Sequence, residues 1–84
     1  MNKSFPPKIR LVKALDDYVL LVTFNNGITK QYDFKSKINE YPYTSIAKHN
    51  LFKLVQVDAG GYGLSWSDDI DISEHELWEK GLTV

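Results

Sequence analysis

The sequence contains no cysteine, and only two of its 84 residues are histidines, His49 and His75. Disulfide bonds and thiolate metal sites are therefore excluded, and a reducing compartment is compatible with the composition. No hydrophobic run approaches the roughly 20 residues that are needed to cross a bilayer. The first residues also lack the hydrophobic stretch of a signal peptide. We therefore expect a cytoplasmic protein that is not embedded in a membrane.

An excess of charge of either sign is also missing, since ten basic and eleven acidic residues leave a net charge of −1. This balance argues against a general nucleic-acid binder, which usually has a clear basic excess. What the chain does have is 43% hydrophobic and 13% aromatic residues, which suits one small folded domain. We expect an N-terminal arm over residues 1–7 and a single domain over residues 8–84.

The first half of the domain has the pattern of three strands. The segment Lys8–Ala14 alternates, which places Ile9 and Leu11 on one face. The segment Tyr18–Phe24 is rich in β-branched and aromatic residues and is apolar on both faces, which indicates a central strand. Residues Ile28–Phe34 form the return strand of a hairpin.

The turn of this hairpin can be argued from its register. A two-residue loop would pair Asn25 with Ile28, whereas a three-residue loop pairs Phe24 with Ile28 and gathers the apolar residues on one face. We therefore predict a type I turn in which Gly27 is left-handed and forms a bulge.

The middle of the chain predicts helical turns at residues 36–40 and 44–49, because Pro42 prevents a longer helix. Three side chains are expected to pack onto the sheet as a lid, namely Tyr41, Tyr43 and Ile46. A second hairpin is predicted from Leu51–Asp58 and Tyr62–Trp66, joined by a glycine-rich turn.

The last predicted element is a helix. Ser73 and Glu76 have the spacing of a capping box, and Gly81 suits the C-terminal cap. The predicted fold is a small single α+β domain with the order β-β-β, a short helical region, β-β, α. Its antiparallel hairpins carry the C-terminal helix packed on the sheet.

Three aspartates between the last strand and this helix suggest a metal site. Asp69, Asp71 and Ser73 have the first ligand spacings of a calcium loop. The pattern then fails, because Glu74 stands where glycine is needed and Lys80 stands where a bidentate glutamate belongs. Turn formation and stabilisation of the helix N-terminus explain the aspartates better, so we expect no metal and no cofactor.

Other chemical motifs are incomplete. The glycines of residues 60–63 lack the Lys-Ser/Thr of a phosphate-binding loop. Neither histidine belongs to a recognised nucleophile motif, so we expect no catalytic residues and no enzyme. Tyr62 and Trp66 could stack nucleic-acid bases, but the segment after Tyr62 is acidic, and packing in the core is the favoured interpretation.

The chain resembles the bacterial family called domain of unknown function 2442. The resemblance extends over nearly the whole chain. The segments that carry it are Pro7-Lys8-Ile9, Ala14 to Leu20, Val22 to Gly27, Tyr32-Asp33-Phe34, Leu51-Phe52, Gly63 to Ile72 and Leu77-Trp78. It implies an α+β domain, which is sometimes fused to a helix-turn-helix DNA-binding domain. Stand-alone members are often encoded beside a second small protein, and the pair resembles a toxin–antitoxin module. The resemblance implies no catalytic residues.

Three hypotheses follow. The first is a non-catalytic protein-interaction module, possibly the antitoxin-like partner of an adjacent small protein. The second is a regulatory nucleic-acid-binding domain, and the third is an enzyme built on Asp68, Asp71 and His75. The expected strand Lys8–Ala14 is a candidate edge for a partner strand. The candidate interaction surface consists of Tyr62, Trp66, Asp68, Asp69 and Asp71.

Overall fold

The structure is a computed structural model that describes residues 6–84. These residues form two antiparallel sheets, two short helices and three 3-10 turns. The first sheet has the strand order β1 (Ile9–Leu15), β2 (Val19–Phe24), β3 (Thr29–Asp33) and β7 (Leu82–Thr83). The second has the order β4 (Gln56–Val57), β5 (Gly63–Ser67) and β6 (Ile70–Ser73). The helices are α1 (Thr44–Lys48) and α2 (Glu74–Lys80). The expected α+β class is confirmed, whereas the predicted arm lies mostly outside the described residues.

The predicted turn between β2 and β3 is confirmed. The amide of Phe24 donates to the carbonyl of Ile28 at 2.8 Å, and the amide of Gly27 donates to the carbonyl of Phe24 at 2.9 Å. Gly27 has a φ of 90°, which glycine adopts without the steric cost of a side chain. The register pairs Leu20 with Tyr32, as the three-residue loop requires, and β2 lies between β1 and β3.

A β-bulge in β1 overturns the prediction that Ile9 and Leu11 share a face. Ile9 pairs with Phe24 but Leu11 pairs with Thr23, so the register shifts between them. The extra residue, Arg10, reverses the alternation of side chains that follow it. Ile9 is therefore buried, while Leu11 is 56% exposed on the opposite face.

The turn between β1 and β2 includes Tyr18, which was predicted to be part of the strand. Asp17 and Tyr18 have φ values of 63° and 59°, a left-handed conformation that is costly for a bulky side chain. The ring of Tyr18 meets the edge of Phe52 at a centroid distance of 5.1 Å, and its carbonyl accepts the amide of Phe34 at 2.8 Å. These contacts offset the cost of the backbone conformation.

The middle segment forms turns and α1, as expected. Ile46 is fully buried and Tyr43 is partly buried, with its ring edge-on to Phe34 at 5.2 Å. Tyr41 is 91% exposed, so its assignment to the lid was wrong. Of the two tyrosines that flank Pro42, only Tyr43 reaches the core.

The predicted long strand Leu51–Asp58 is wrong. Phe52–Leu54 form a 3-10 turn, and only Gln56 and Val57 pair with β5. The tight turn places Phe52 in the core, stacked against Trp66 at 6.3 Å, while Leu54 is 63% exposed. Burial of the Phe52 ring therefore favours the turn over the strand that the alternating pattern predicted.

Strand β6 was missed because its aspartates suggested a turn. Ile70 and Ile72 are buried while Asp71 and Ser73 are exposed, so the segment has the period-two pattern of a strand with one buried face. Gly63 lies opposite Ser73, and a Cβ at this glycine would be 2.6 Å from the carbonyl oxygen of Ile72. Glycine at position 63 therefore allows β5 and β6 to approach closely.

Helix α2 begins at the predicted cap, where the hydroxyl of Ser73 accepts the amide of Glu76 at 3.2 Å. The other half of the capping box is absent, because the Glu76 carboxylate accepts the hydroxyl of Tyr32 instead. Gly81 does cap the end, but with a φ of −73° rather than a left-handed conformation. Leu77 is fully buried, and Trp78 meets Phe24 edge-on at 5.0 Å, which fixes α2 over the core.

Candidate interaction surface

Trp66, which was included in the candidate interaction surface, is a core residue. It is 9% exposed, its Nε1 donates to the carbonyl of Phe52 at 3.0 Å, and its ring lies 5.1 Å from that of Phe34. A side chain held in this way cannot contact a partner without disturbing the core. The preference for core packing over base stacking is therefore correct for Trp66.

Tyr62 is 61% exposed, so the preference for core packing is wrong for this residue. Its ring lies 4.2 Å from the Nζ of Lys8, which also forms an ion pair with Glu74 at 2.7 Å. Tyr62 precedes β5, and the five residues of that strand separate it from Asp68 by roughly 20 Å. The structure therefore does not bring Tyr62 together with Asp68 at the other end of β5.

The three aspartates lie on and beside the turn between β5 and β6. Asp68, Asp69 and Asp71 are all exposed, and the amide of Asp69 faces the hydroxyl of Ser67 at 3.4 Å. Within residues 6–84, no group of three or more His, Asp or Glu side chains could hold a metal ion. The turn accounts for Asp68 and Asp69, while Asp71 occupies the solvent-facing side of β6.

Tyr43 links the region of Asp71 to the core. Its hydroxyl donates to the backbone carbonyl of Asp71 at 2.9 Å. Burial raises the pKa of Tyr43, and the carboxylates of Asp71, Glu76 and Glu40 raise that pKa further. This bond holds the edge of β6 against the segment before α1, which is a structural role.

A second polar cluster joins β3 to α2. The hydroxyl of Tyr32 donates to Glu76 Oε2 at 2.8 Å, and Lys37 Nζ lies 3.8 Å from the same oxygen. Burial raises the pKa of Tyr32 far above its usual value, and the hydrogen bond to Glu76 adds to this effect. The cluster borders a shallow cleft of about 300 Å³, which also includes Ser36 and Lys80. Because Glu76 is already occupied, we interpret the cluster as a clamp between helix and sheet.

The two histidines, His49 and His75, are both exposed. His75 lies on the first turn of α2. Neither histidine hydrogen-bonds to another side chain of residues 6–84, so no base–nucleophile pair is assembled there.

The strongest candidate surface is one that the sequence analysis did not select. Strand β2 alternates strictly: Leu20, Val22 and Phe24 are fully buried, so Val19, Leu21 and Thr23 point to the other side. Residues paired with these three share their side of the sheet. We call this side the outer face; it consists of Leu11, Lys13, Leu15, Val19, Leu21, Thr23, Thr29, Gln31, Asp33 and Leu82.

The outer face is uncovered within residues 6–84, because the second sheet and α2 both pack on the opposite side. Phe34 contacts Trp66 of the second sheet, and Phe24 contacts Trp78 of α2. Leu11 and Leu82 are 56% and 72% exposed. Five of its ten residues are hydrophobic, and exposed hydrophobic side chains grouped on one sheet face are a feature of interaction surfaces.

The signal for the outer face was present in the sequence. Tyr18–Phe24 is apolar on both faces, and this pattern was interpreted as a central strand, which the strand order confirms for β2. The structure buries only one side. The hydroxyls of Thr23 and Thr29 meet across the strands at 3.0 Å and make a small polar area in the hydrophobic face.

The predicted edge strand is real but partly covered. Strand β1 ends the first sheet, yet Gly61 lies so close to Ile9 that a Cβ at this glycine would collide with the backbone of Ile9. The edge near Ile9 is therefore closed to an added strand. No helix within residues 6–84 has the length and hydrophobicity of a membrane-spanning segment.

These features define a class of protein, a small α+β domain that has one buried sheet face and one sheet face that no element of residues 6–84 covers. Comparison with known families gives a more specific assignment. Residues 9–83 match the family described as protein of unknown function (DUF2442), and the chain belongs to this family. The expected resemblance is thereby confirmed. No curated protein and no solved structure matched the chain.

Proposed function

We propose that this chain is a non-catalytic protein-interaction module and that its partner binds the outer face. The observation that carries this proposal is the exposure of Leu11 and Leu82 on a sheet whose opposite face carries the fully buried side chains of β2. Covering hydrophobic area stabilises a complex by about 25 cal/mol per Å². The exposed leucines of β1 and β7 therefore supply a favourable contribution to binding that contacts within residues 6–84 use only in part.

The partner we propose is a small protein encoded by an adjacent gene, with this chain as the antitoxin-like member of a bacterial, cytoplasmic pair. The support for this partner is the resemblance of the chain to stand-alone members of its family.

Two single substitutions test which surface binds. Leu21→Lys adds one positive charge at the centre of the outer face, whereas Asp69→Lys changes the charge of the acidic turn by two units. We expect Leu21→Lys to weaken binding of the adjacent gene's product by at least about tenfold in calorimetry, because a charged group would be desolvated. Asp69→Lys is expected to bind like the wild type.

The opposite pattern, with Asp69→Lys defective and Leu21→Lys normal, would assign binding to the acidic turn. Both variants should keep the wild-type circular dichroism spectrum, since Leu21 is only partly buried and Asp69 is exposed. Absence of binding by the wild type at micromolar concentrations would contradict the proposed partner.

The alternative is a regulatory nucleic-acid-binding domain. Four lysines are already engaged within the domain: Lys8 with Glu74, Lys30 with the carbonyl of Trp78, Lys37 with Glu76, and Lys53 with Asp16. This distribution favours the protein-interaction hypothesis. A gel shift at low and high salt separates the two, because phosphate contacts weaken steeply as salt concentration rises.

A further inference from the structure

The outer face carries two charges of opposite sign, Lys13 on β1 and Asp33 on β3. Lys13 pairs across the strands with Leu21, and Asp33 pairs with Val19. The two charges are therefore placed diagonally across β2, with Val19 and Leu21 between them. Strand spacing and residue rise put their Cα atoms about 12 Å apart.

Neither charge is neutralised by another side chain within residues 6–84. Both residues are exposed, and the salt bridges of the described residues involve neither of them. One oxygen of Asp33 accepts the amide of Lys35 at 2.9 Å, which fixes the carboxylate at the end of the strand. A partner that covers the outer face must therefore supply an acid opposite Lys13 and a base opposite Asp33.

We infer that a second copy of this chain meets these requirements and that the outer face mediates a two-fold symmetric dimer. In such an interface, a residue that contacts its counterpart is contacted in the same way in return. A two-fold axis that lies between the two faces, passes over the midpoint of Val19 and Leu21 and runs perpendicular to the line from Lys13 to Asp33 places Lys13 of each copy opposite Asp33 of the other. Two reciprocal ion pairs then flank a hydrophobic centre.

The size of the face sets the strength of this dimer. Four strands and three rows of side chains cover about 19 by 20 Å, or about 400 Å². Stable interfaces commonly bury about 800 Å² from each partner. We therefore expect a weak, reversible dimer, with a dissociation constant in the range of roughly 10 µM to 1 mM.

Charge exchange provides the test. Lys13→Glu leaves only acids at the two positions, and Asp33→Lys leaves only bases, so each variant alone has two repulsive contacts in the dimer. We expect each to dimerise at least about tenfold more weakly than the wild type in sedimentation equilibrium. An equimolar mixture of the two variants restores both ion pairs, and its affinity should return towards the wild-type value.

Leu21→Lys is a third variant, and it should abolish dimer formation because it places a charge at the centre of the interface. Circular dichroism confirms that each variant is folded, which the exposure of both charged positions favours. The inference is overturned if the wild type remains monomeric up to about 1 mM. It is equally overturned if the single charge variants dimerise like the wild type, or if mixing them restores nothing.

This inference rests on the proposed function, because both use the outer face. Their failures are nevertheless distinguishable. A monomeric wild type whose binding to the adjacent gene's product is lost on Leu21→Lys would refute the dimer and leave the proposed function intact. Conversely, dimerisation that follows the charge-exchange pattern in a chain that does not bind that product would support the dimer alone.

Discussion

The two faces of β2 differ although their residues alternate along a single strand. Leu20, Val22 and Phe24 are fully buried against the second sheet and α2, whereas Leu21 and Val19 lie between solvent and their neighbours on the outer face. The side chains on the two sides are similarly hydrophobic. Composition alone therefore cannot tell which side holds the domain together and which side is available to a partner.

The aromatic residues that pack on the inner side determine which side of the sheet forms the core. Phe34 contacts Tyr43, Phe52 and Trp66, so one ring connects three separate segments to the sheet. Aromatic rings fill that side, whereas no element of residues 6–84 packs on the outer face. We expect stability to depend on the inner residues and binding to depend on the outer ones.

The largest contrast is expected between Leu20→Ala and Leu21→Ala. Leu20 is fully buried, so its truncation should lower the free energy of unfolding by about 2–5 kcal/mol through lost burial and a cavity. Leu21→Ala should cost less than about 1 kcal/mol, because its side chain remains partly in water. Urea denaturation of the two variants measures the difference, and equal losses would contradict the division of faces.

A second contrast compares two glycines with positive φ. Gly61 has a φ of 74° and lies against the backbone of Ile9, so Gly61→Ala would force the segment before β5 away from β1. We expect a loss of at least about 2 kcal/mol. Gly27 has a φ of 90° but open space around it, so Gly27→Ala should cost only about 1 kcal/mol, from backbone conformation alone. A thermal melt of both variants tests this order. The reverse order would show that the close approach of Gly61 to Ile9 contributes little to stability.

A smaller effect is expected at Tyr32, which joins the inner side to α2. Tyr32→Phe removes the hydrogen bond to Glu76 and should cost about 1 kcal/mol at pH 7. The folded state raises the pKa of Tyr32, so the neutral hydroxyl contributes stability that is complete below its ordinary pKa of about 10 and is lost as pH rises above that value.

The difference in the free energy of unfolding between wild type and Tyr32→Phe should therefore be constant from about pH 7 to 9 and shrink above about pH 10. Denaturation at a series of pH values measures it. Tyr43, whose pKa is also raised, is present in both proteins and does not contribute to the difference. A difference in the free energy of unfolding that grows at alkaline pH would contradict the clamp between Tyr32 and Glu76.

The sequence predicted much of the first sheet correctly. The register of β2 and β3 and the conformation of Gly27 followed from local rules about turns and from the requirement that one face be apolar. The bulge at Arg10 did not follow, because it depends on how β1 meets its neighbours. The conformation of Tyr18 depends in the same way on its contact with Phe52, which is 34 positions away.

The candidate site was predicted less well. Trp66 and Asp71 were grouped because they are close in sequence, but one is in the core and the other faces solvent. The outer face brings together residues from four strands, including Leu82 near the end of the chain. A surface built from such distant segments becomes visible only when the strand order is known.

The most direct test of the outer face uses the absence of cysteine from the chain. Leu11→Cys introduces a single thiol on the outer face, and Ser67→Cys introduces one beside the acidic turn as a control; both positions are exposed. The rate of thiol labelling is measured with and without the adjacent gene's product, and at low and high concentrations of the chain. We predict that labelling of the thiol at position 11 slows when the partner or a second copy is bound, while labelling at position 67 does not change. Unchanged labelling at position 11 under both conditions, or protection at position 67 alone, would contradict the assignment of the outer face as the interaction surface.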